Sequence, residues 1–139
     1  MKKTIVISAI DLHLIDKVRE LRILSAPSVS QEMLSSAIGQ AAEFIEGIET
    51  FQDNSFYSIR QLNLIANYFN IKISELFPED GIMDDLLELE IELIKMTPTA
   101  IQIDKYGEVI KNYRIINGRV ITFISSEPIK KYFNEDYIN

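Results

Sequence analysis

Between Asp11 and Asp80, residues that open and end helices follow one another so closely that only short helices fit between them. Asp11 is placed to cap a first helix, in which Leu14, Ile15, Val18 and Leu21 recur at helical spacing up to about Leu24, before Ala26-Pro27-Ser28 ends it. Ser30 opens a second helix with Met33, Leu34, Ala37 and Ile38 inward, and Gly39 breaks it. A third spans about Ala41 to Glu49 and sets Phe44, Ile45 and Ile48 on one side. A polar loop, Gln52 to Ser55, follows. Ser58 and Gln61 then have the spacing of a capping box, which opens a fourth helix with Leu62, Ile65, Ala66 and Phe69 inward. Ser74 opens a short fifth, stopped by Pro78. The expectation is an all-helical bundle over residues 11–80.

The flanking segments read differently. Thr4 to Ile10 is rich in β-branched residues and reads as a short strand, which must pair with something distant or with a second copy. Asp84 to Met96 alternates apolar and acidic residues from Leu87 to Leu93. Its glutamates and leucines favour helix, however, and Asp84, Glu88 and Glu92 lie four apart, so it is read as a helix ended by Pro98. Beyond it, Ala100 to Asp104 and Glu108 to Ile116 read as strands joined by a turn at Gly107. Asn117-Gly118 reads as a hairpin leading into Arg119 to Ser125, and Ser126-Glu127-Pro128 as the start of a last helix. The expected fold class is α+β, mainly α, divided into residues 11–80 and an appendage over 82–139. The strand segments carry many apolar residues, Ile101, Ile103, Ile115, Ile116, Val120 and Ile124 among them, so one face must pack on the helix from Asp84, on the bundle or on a second chain. Dimerisation, or else the reception of a signal, is the expected role of the appendage.

Composition narrows the classes of function. Hydrophobic content of 47% and charged content of 25% are globular values, so the chain is expected to bury a core. It has no cysteine, hence no disulfide framework and no thiolate chemistry. No stretch approaches the roughly 20 apolar residues of a membrane span, and the short run after Lys2-Lys3 lacks a cleavage site, so a cytoplasmic, soluble protein is expected. Residues 1–80 hold 7 basic and 11 acidic side chains, and residues 81–139 hold 7 and 10, giving −4 and −3 of the net −7. Neither half is a basic module of the kind that binds nucleic acid without regard to sequence.

The series Val18-Arg19-Glu20-Leu21-Arg22, Ser30-Gln31-Glu32-Met33-Leu34, Ala37-Ile38-Gly39, Phe44-Ile45, Ile48-Glu49, Leu62-Asn63-Leu64-Ile65-Ala66 and Ile73-Ser74-Glu75-Leu76-Phe77-Pro78 resembles the lambda-repressor-like, Cro-type helix-turn-helix domains, also called the xenobiotic-response-element type. The resemblance covers residues 18–77. It implies a five-helix lambda-repressor-like bundle, followed here by a helix and a small antiparallel β-meander. It implies a bacterial or phage-type transcriptional regulator that binds double-stranded DNA as a homodimer, with helix three in the major groove. Gln31 matches a position that contacts phosphate, and Arg22 and Glu49 match an internal ion pair. On that basis the expected DNA-binding residues are Gln31, Gln40, Ala42, Glu43, Glu46 and Arg60, with Asn54 and Ser55 as flanking contacts.

A rival reading rests on the same residues. The exposed positions of helix three include Glu43 and Glu46, which phosphates repel, although glutamate can accept from cytosine N4 and alanine can touch a thymine methyl. An acidic helix-turn-helix scaffold would serve equally as a protein-interaction module, an antitoxin or immunity protein holding a basic partner. Enzymatic activity is not expected. His13 is the only histidine and has no partner nucleophile, no glycine motif cradles phosphate, and Glu79-Asp80 and Asp84-Asp85 lack calcium-loop spacing. No metal and no cofactor is expected.

Overall fold

The computed structural model describes residues 1–95 and 102–123. The chain enters as a strand, β1 (Lys2–Ser8), and turns directly into α1 (Ala9–Leu24). The cap of α1 is Ser8 rather than Asp11. The Ser8 hydroxyl accepts from the Asp11 amide at 3.0 Å and donates to the Asp11 carboxylate at 2.6 Å, so Asp11 completes the first turn instead of preceding it. Ser30 caps α2 (Gln31–Ala37) by accepting from the Met33 amide, and α3 (Phe44–Glu49) follows. Between them Gly39 takes φ +72°, a backbone conformation that glycine adopts without a Cβ penalty. The third helix is shorter than expected because residues 41–43 form a turn ahead of it. Met33, expected inward, is 51% exposed. The capping box of Ser58 and Gln61 opens α4 (Ile59–Tyr68). The expected fifth helix is a single 3-10 turn, Ile73–Leu76, which begins beyond Lys72 and not at Ser74.

The largest departure follows Asp80. Residues read as a helix form a strand, β2 (Asp84–Leu93), at the centre of a three-stranded antiparallel sheet of order β1-β2-β3, with β3 spanning Tyr113–Phe123. The alternation decides it. As a strand, Leu87, Leu89, Ile91 and Leu93 all turn toward the helices, and Leu89 and Ile91 are buried. Glu88, Glu90 and Glu92 turn the other way, where Glu88 meets Arg119 at 2.9 Å and Glu92 meets Arg114. A helix would have scattered these two sets around its circumference. Tertiary pairing on both sides thus overrides the helix preference of leucine and glutamate. β1 finds its partner within the chain, with Ile5 opposite Leu89.

The hairpin expected at Asn117-Gly118 is absent. β3 continues through both residues, which face Glu90 and Leu89 of β2, and the register slips at Ile116 and again before Thr122. Gly118 serves no turn here; a Cβ there would lie 2.7 Å from Leu89 Cδ2, so the glycine leaves room for that side chain as it stands. Of the strand expected from residue 100 to Asp104, the described part contributes one bridge, Ile103 to Val109, closed by a turn at Asp104 to Gly107. Ile101, Ile124, Ser125 and the last expected helix at Ser126-Glu127-Pro128 lie outside the described residues.

Among the described residues the architecture is therefore α+β, four α-helices against a three-stranded antiparallel sheet. It is not a five-helix bundle followed by a helix and a meander. One apolar cluster joins Leu14, Ile15 and Val18 of α1 and Ile45 and Ile48 of α3 to Ile5, Leu89, Ile91 and Tyr113 of the sheet, so the core draws on both sides of the division at residue 80. Among the described residues no helix is long and apolar enough to cross a membrane.

Candidate macromolecular interface

α2 and α3 pack as a pair through small and apolar side chains. Ser35, fully buried, donates to the Gln31 carbonyl at 2.8 Å and accepts from the Ile45 amide at 3.0 Å, which pins the start of α3 against the middle of α2. Leu34, Ile45 and Ile48 fill the space behind them.

The far end of α3 is held by charge. Glu49 is 1% exposed and lies between two arginines of α1 that are almost as deeply buried. Arg22 donates to both of its carboxylate oxygens, Nη2 to Oε1 at 2.7 Å and Nε to Oε2 at 3.1 Å, and its Nη1 donates to the Val29 carbonyl at 3.1 Å. Arg19 is weakly joined. Its Nη2 reaches the Glu49 carbonyl at 3.4 Å, and its Nε stands 3.5 Å from the carboxylate without hydrogen-bond geometry. Its firmer partner is Asp16, at 2.9 Å. Asp16 also accepts from the Tyr113 hydroxyl, with both carboxylate oxygens within 2.9 Å, and lies 3.2 Å from Lys111 Nζ. Burial pushes the Tyr113 phenol well above its usual ionisation range, and the charge and hydrogen bond of Asp16 push it further. Asn112 donates to the Glu49 carbonyl at 2.8 Å. A continuous polar chain thus runs from β3 through α1 to the end of α3. It fixes the α2–α3 pair on the sheet.

The residues expected to meet DNA divide into three groups. Ala42, Glu43 and Glu46 are exposed on and just before α3, with Gln40 half-buried at the turn. Gln31 is half-buried and its Nε2 donates to Glu49 Oε1 at 3.0 Å, so its amide serves the buried ion pair. Ser55 is half-buried and lines a cleft beside β1, while Arg60 stands exposed in the first turn of α4. The Asn54 side chain lies outside the description.

Sequence reasoning did not weigh the length over which cations are missing. From Ile23 to Ile59 there is no lysine, arginine or histidine, and the acidic residues are Glu32, Glu43, Glu46, Glu49 and Asp53. Glu49 is neutralised by its arginines. The other four are exposed and form no ion pair among the described residues. The signal was legible as a run without bases. Among the described residues no three carboxylate or imidazole groups gather into a cluster able to hold a metal ion. The chain matches no family model, no curated protein and no solved structure.

Proposed function

We propose that the protein is an interaction module whose exposed α2–α3 side binds a basic protein partner, in the manner of an antitoxin or immunity protein. The observation that carries this reading is the stretch from Ile23 to Ile59, which lacks any cation and exposes four carboxylates on and around a rigidly held helix pair. Lysine and arginine side chains of a partner complement such a surface and are steered toward it over a Debye length. DNA would meet the opposite situation. Binding to phosphates draws on cations that displace condensed counterions, and the stretch from Ile23 to Ile59 supplies none.

A second reading, a cytoplasmic, sequence-specific DNA-binding regulator acting as a homodimer, is favoured by a different observation. The α2–Gly39–α3 unit is packed as a pair and presents Gln40, Ala42, Glu43 and Glu46 together, with Arg60 at the start of α4. In that reading the carboxylates accept from cytosine N4 and Ala42 touches a thymine methyl.

One experiment separates the two. The tagged full chain and its Glu43→Lys/Glu46→Lys variant are used to capture partners from the native cell, in parallel with fluorescence anisotropy against the DNA upstream of the gene and against shuffled DNA. The interaction module captures a basic protein that salt releases and that the variant fails to hold. Saturable wild-type binding that prefers the upstream DNA, with no basic protein captured, would overturn it in favour of the regulator.

A further inference from the structure

The Asn117-Gly118 pair lies within β3, where it makes no turn. Asparagine followed by glycine has a chemistry of its own. The backbone nitrogen of the second residue attacks the side-chain carbonyl carbon of the first and closes a five-membered ring. Glycine obstructs that approach least, because it has no Cβ. Asn117 is the only asparagine in the sequence with glycine after it.

A regular strand holds the two groups apart, but the strand is irregular at this point. The register of β3 with β2 slips between Ile115 and Asn117, and a bulge of this kind disrupts the ladder beside it. The Gly118 amide is turned toward its own neighbour and donates to Asn117 Oδ1 at 2.9 Å. The attacking nitrogen is thus already in contact with the group it attacks, and Cγ is the next atom beyond Oδ1. Holding reactants in contact in this way removes much of the entropic barrier to their reaction. Asn117 and Gly118 are both exposed, so hydroxide and water reach them.

We propose that Asn117-Gly118 is a self-modification site, at which β3 deamidates in the folded protein and weakens its pairing with β2. Hydroxide removes the Gly118 amide proton, the nitrogen forms a bond to Asn117 Cγ, and the Cγ–Nδ2 bond breaks to release ammonia. Water then opens the succinimide. Opening at Cγ leaves aspartate, and opening at the backbone carbonyl leaves isoaspartate, so one water is consumed for each ammonia released and nothing is oxidised or reduced. Either product places a carboxylate where there was an amide. Asn117 faces Glu90 across the strands. Glu88 and Glu92 on either side are met by Arg119 and Arg114, but Glu90 forms no ion pair among the described residues. Like charges directly opposite one another destabilise a strand pair. Isoaspartate also lengthens the main chain of β3 by one atom and puts the residues after it out of step with β2. This site is separate from the acidic side of α3, and neither proposal depends on the other.

The test is to age the purified full chain at mildly alkaline pH, folded and in urea, and to map its peptides by mass spectrometry with aspartate and isoaspartate resolved. Asn117 should convert before every other asparagine, with isoaspartate in excess and ammonia released in equal amount. The folded chain should convert within about tenfold of the rate in urea. A route through rare unfolding would be slower by far more than that, because the unfolded population is so small. Asn117→Gln, which would have to close a six-membered ring, should not convert. The converted protein, separated by its extra negative charge, should unfold at a lower urea concentration than the original. Conversion confined to the urea sample, aspartate formed without isoaspartate, or a converted protein as stable as the original would each overturn the proposal.

Discussion

Glu46 and Glu49 lie three residues apart on α3, and their surroundings are opposite. Glu49 is buried, receives two hydrogen bonds from Arg22 and one from Gln31, and sits beside Arg19. Glu46 is exposed and forms no ion pair among the described residues. A buried carboxylate with such partners is part of the framework, because an ion taken from water must be compensated in place. An exposed carboxylate that forms no ion pair adds little to the framework and remains available to a partner. One short helix therefore carries a buried ion pair to α1 on one side and the candidate interface on the other.

The largest expected effect comes from breaking the buried side. Glu49→Ala leaves the Arg22 guanidinium buried without its carboxylate, while Arg19 keeps Asp16, and should lower unfolding free energy by about 3 kcal/mol, measured by urea denaturation. Glu46→Ala should change it by less than about 0.5 kcal/mol. Equal effects would remove the distinction between the two glutamates.

Tyr113 sharpens the same comparison from the sheet. Its hydroxyl donates to Asp16, which in turn holds Arg19. Tyr113→Phe should cost about 1.5 kcal/mol, the lower end for a hydrogen bond to a charged group, because Arg19 and Lys111 still satisfy Asp16. Tyr57→Phe should be neutral or slightly stabilising. The Tyr57 hydroxyl is buried without a hydrogen-bond partner among the described residues, so removing it relieves a desolvated group. Burial, and after it the charge of Glu49, pushes the Tyr57 phenol upward as the Tyr113 phenol is pushed. Both raised values favour the protonated form in the folded state. Above pH 10, the ordinary value for these phenols, the unfolded chain loses protons that the folded chain keeps, so stability falls as pH rises. It should be insensitive to these groups below that value. The slope of urea-derived stability between about pH 10 and 11.5 should flatten in the Tyr57→Phe/Tyr113→Phe double variant; an unchanged slope would place the alkaline transition elsewhere.

The helical layer was more legible than the sheet because its signals are local. Ser30 and Ser58 announce their helices through hydrogen bonds to residues three positions on. The start of α1 was misplaced because Asp11 and Ser8 are both capping residues, and only the strand ending at Ser8 decides between them. β2 was misread because its acidic residues obtain their partners from Arg114 and Arg119, more than twenty residues away. Asn117-Gly118 has the composition of a hairpin turn, yet Leu89 occupies the space above Gly118, a long-range fact that no dipeptide records. In the candidate interface, Glu43 and Glu46 were visible as exposed positions. The engagement of Gln31 by Glu49 was not, since it depends on how closely α2 and α3 approach one another.

The smallest expected effect on stability is also the most informative about function. Glu43→Lys/Glu46→Lys reverses two charges on the exposed side of α3, where no cation is lost as a partner and no apolar contact is removed. Like charges three residues apart repel weakly before and after the change, so that term nearly cancels. Carboxylates near the start of a helix are favoured by its dipole, and lysines there are not, which leaves a net cost of about 0.5 kcal/mol at low ionic strength. Salt should reduce that cost further, because both positions are solvated. A denaturation midpoint that barely moves, alongside complete loss of a basic partner, places the function of α3 on its exposed face. A stability loss comparable to that of Glu49→Ala would mean that the outer carboxylates belong to the framework after all, and the acidic side of α3 would then lose its claim to be an interface.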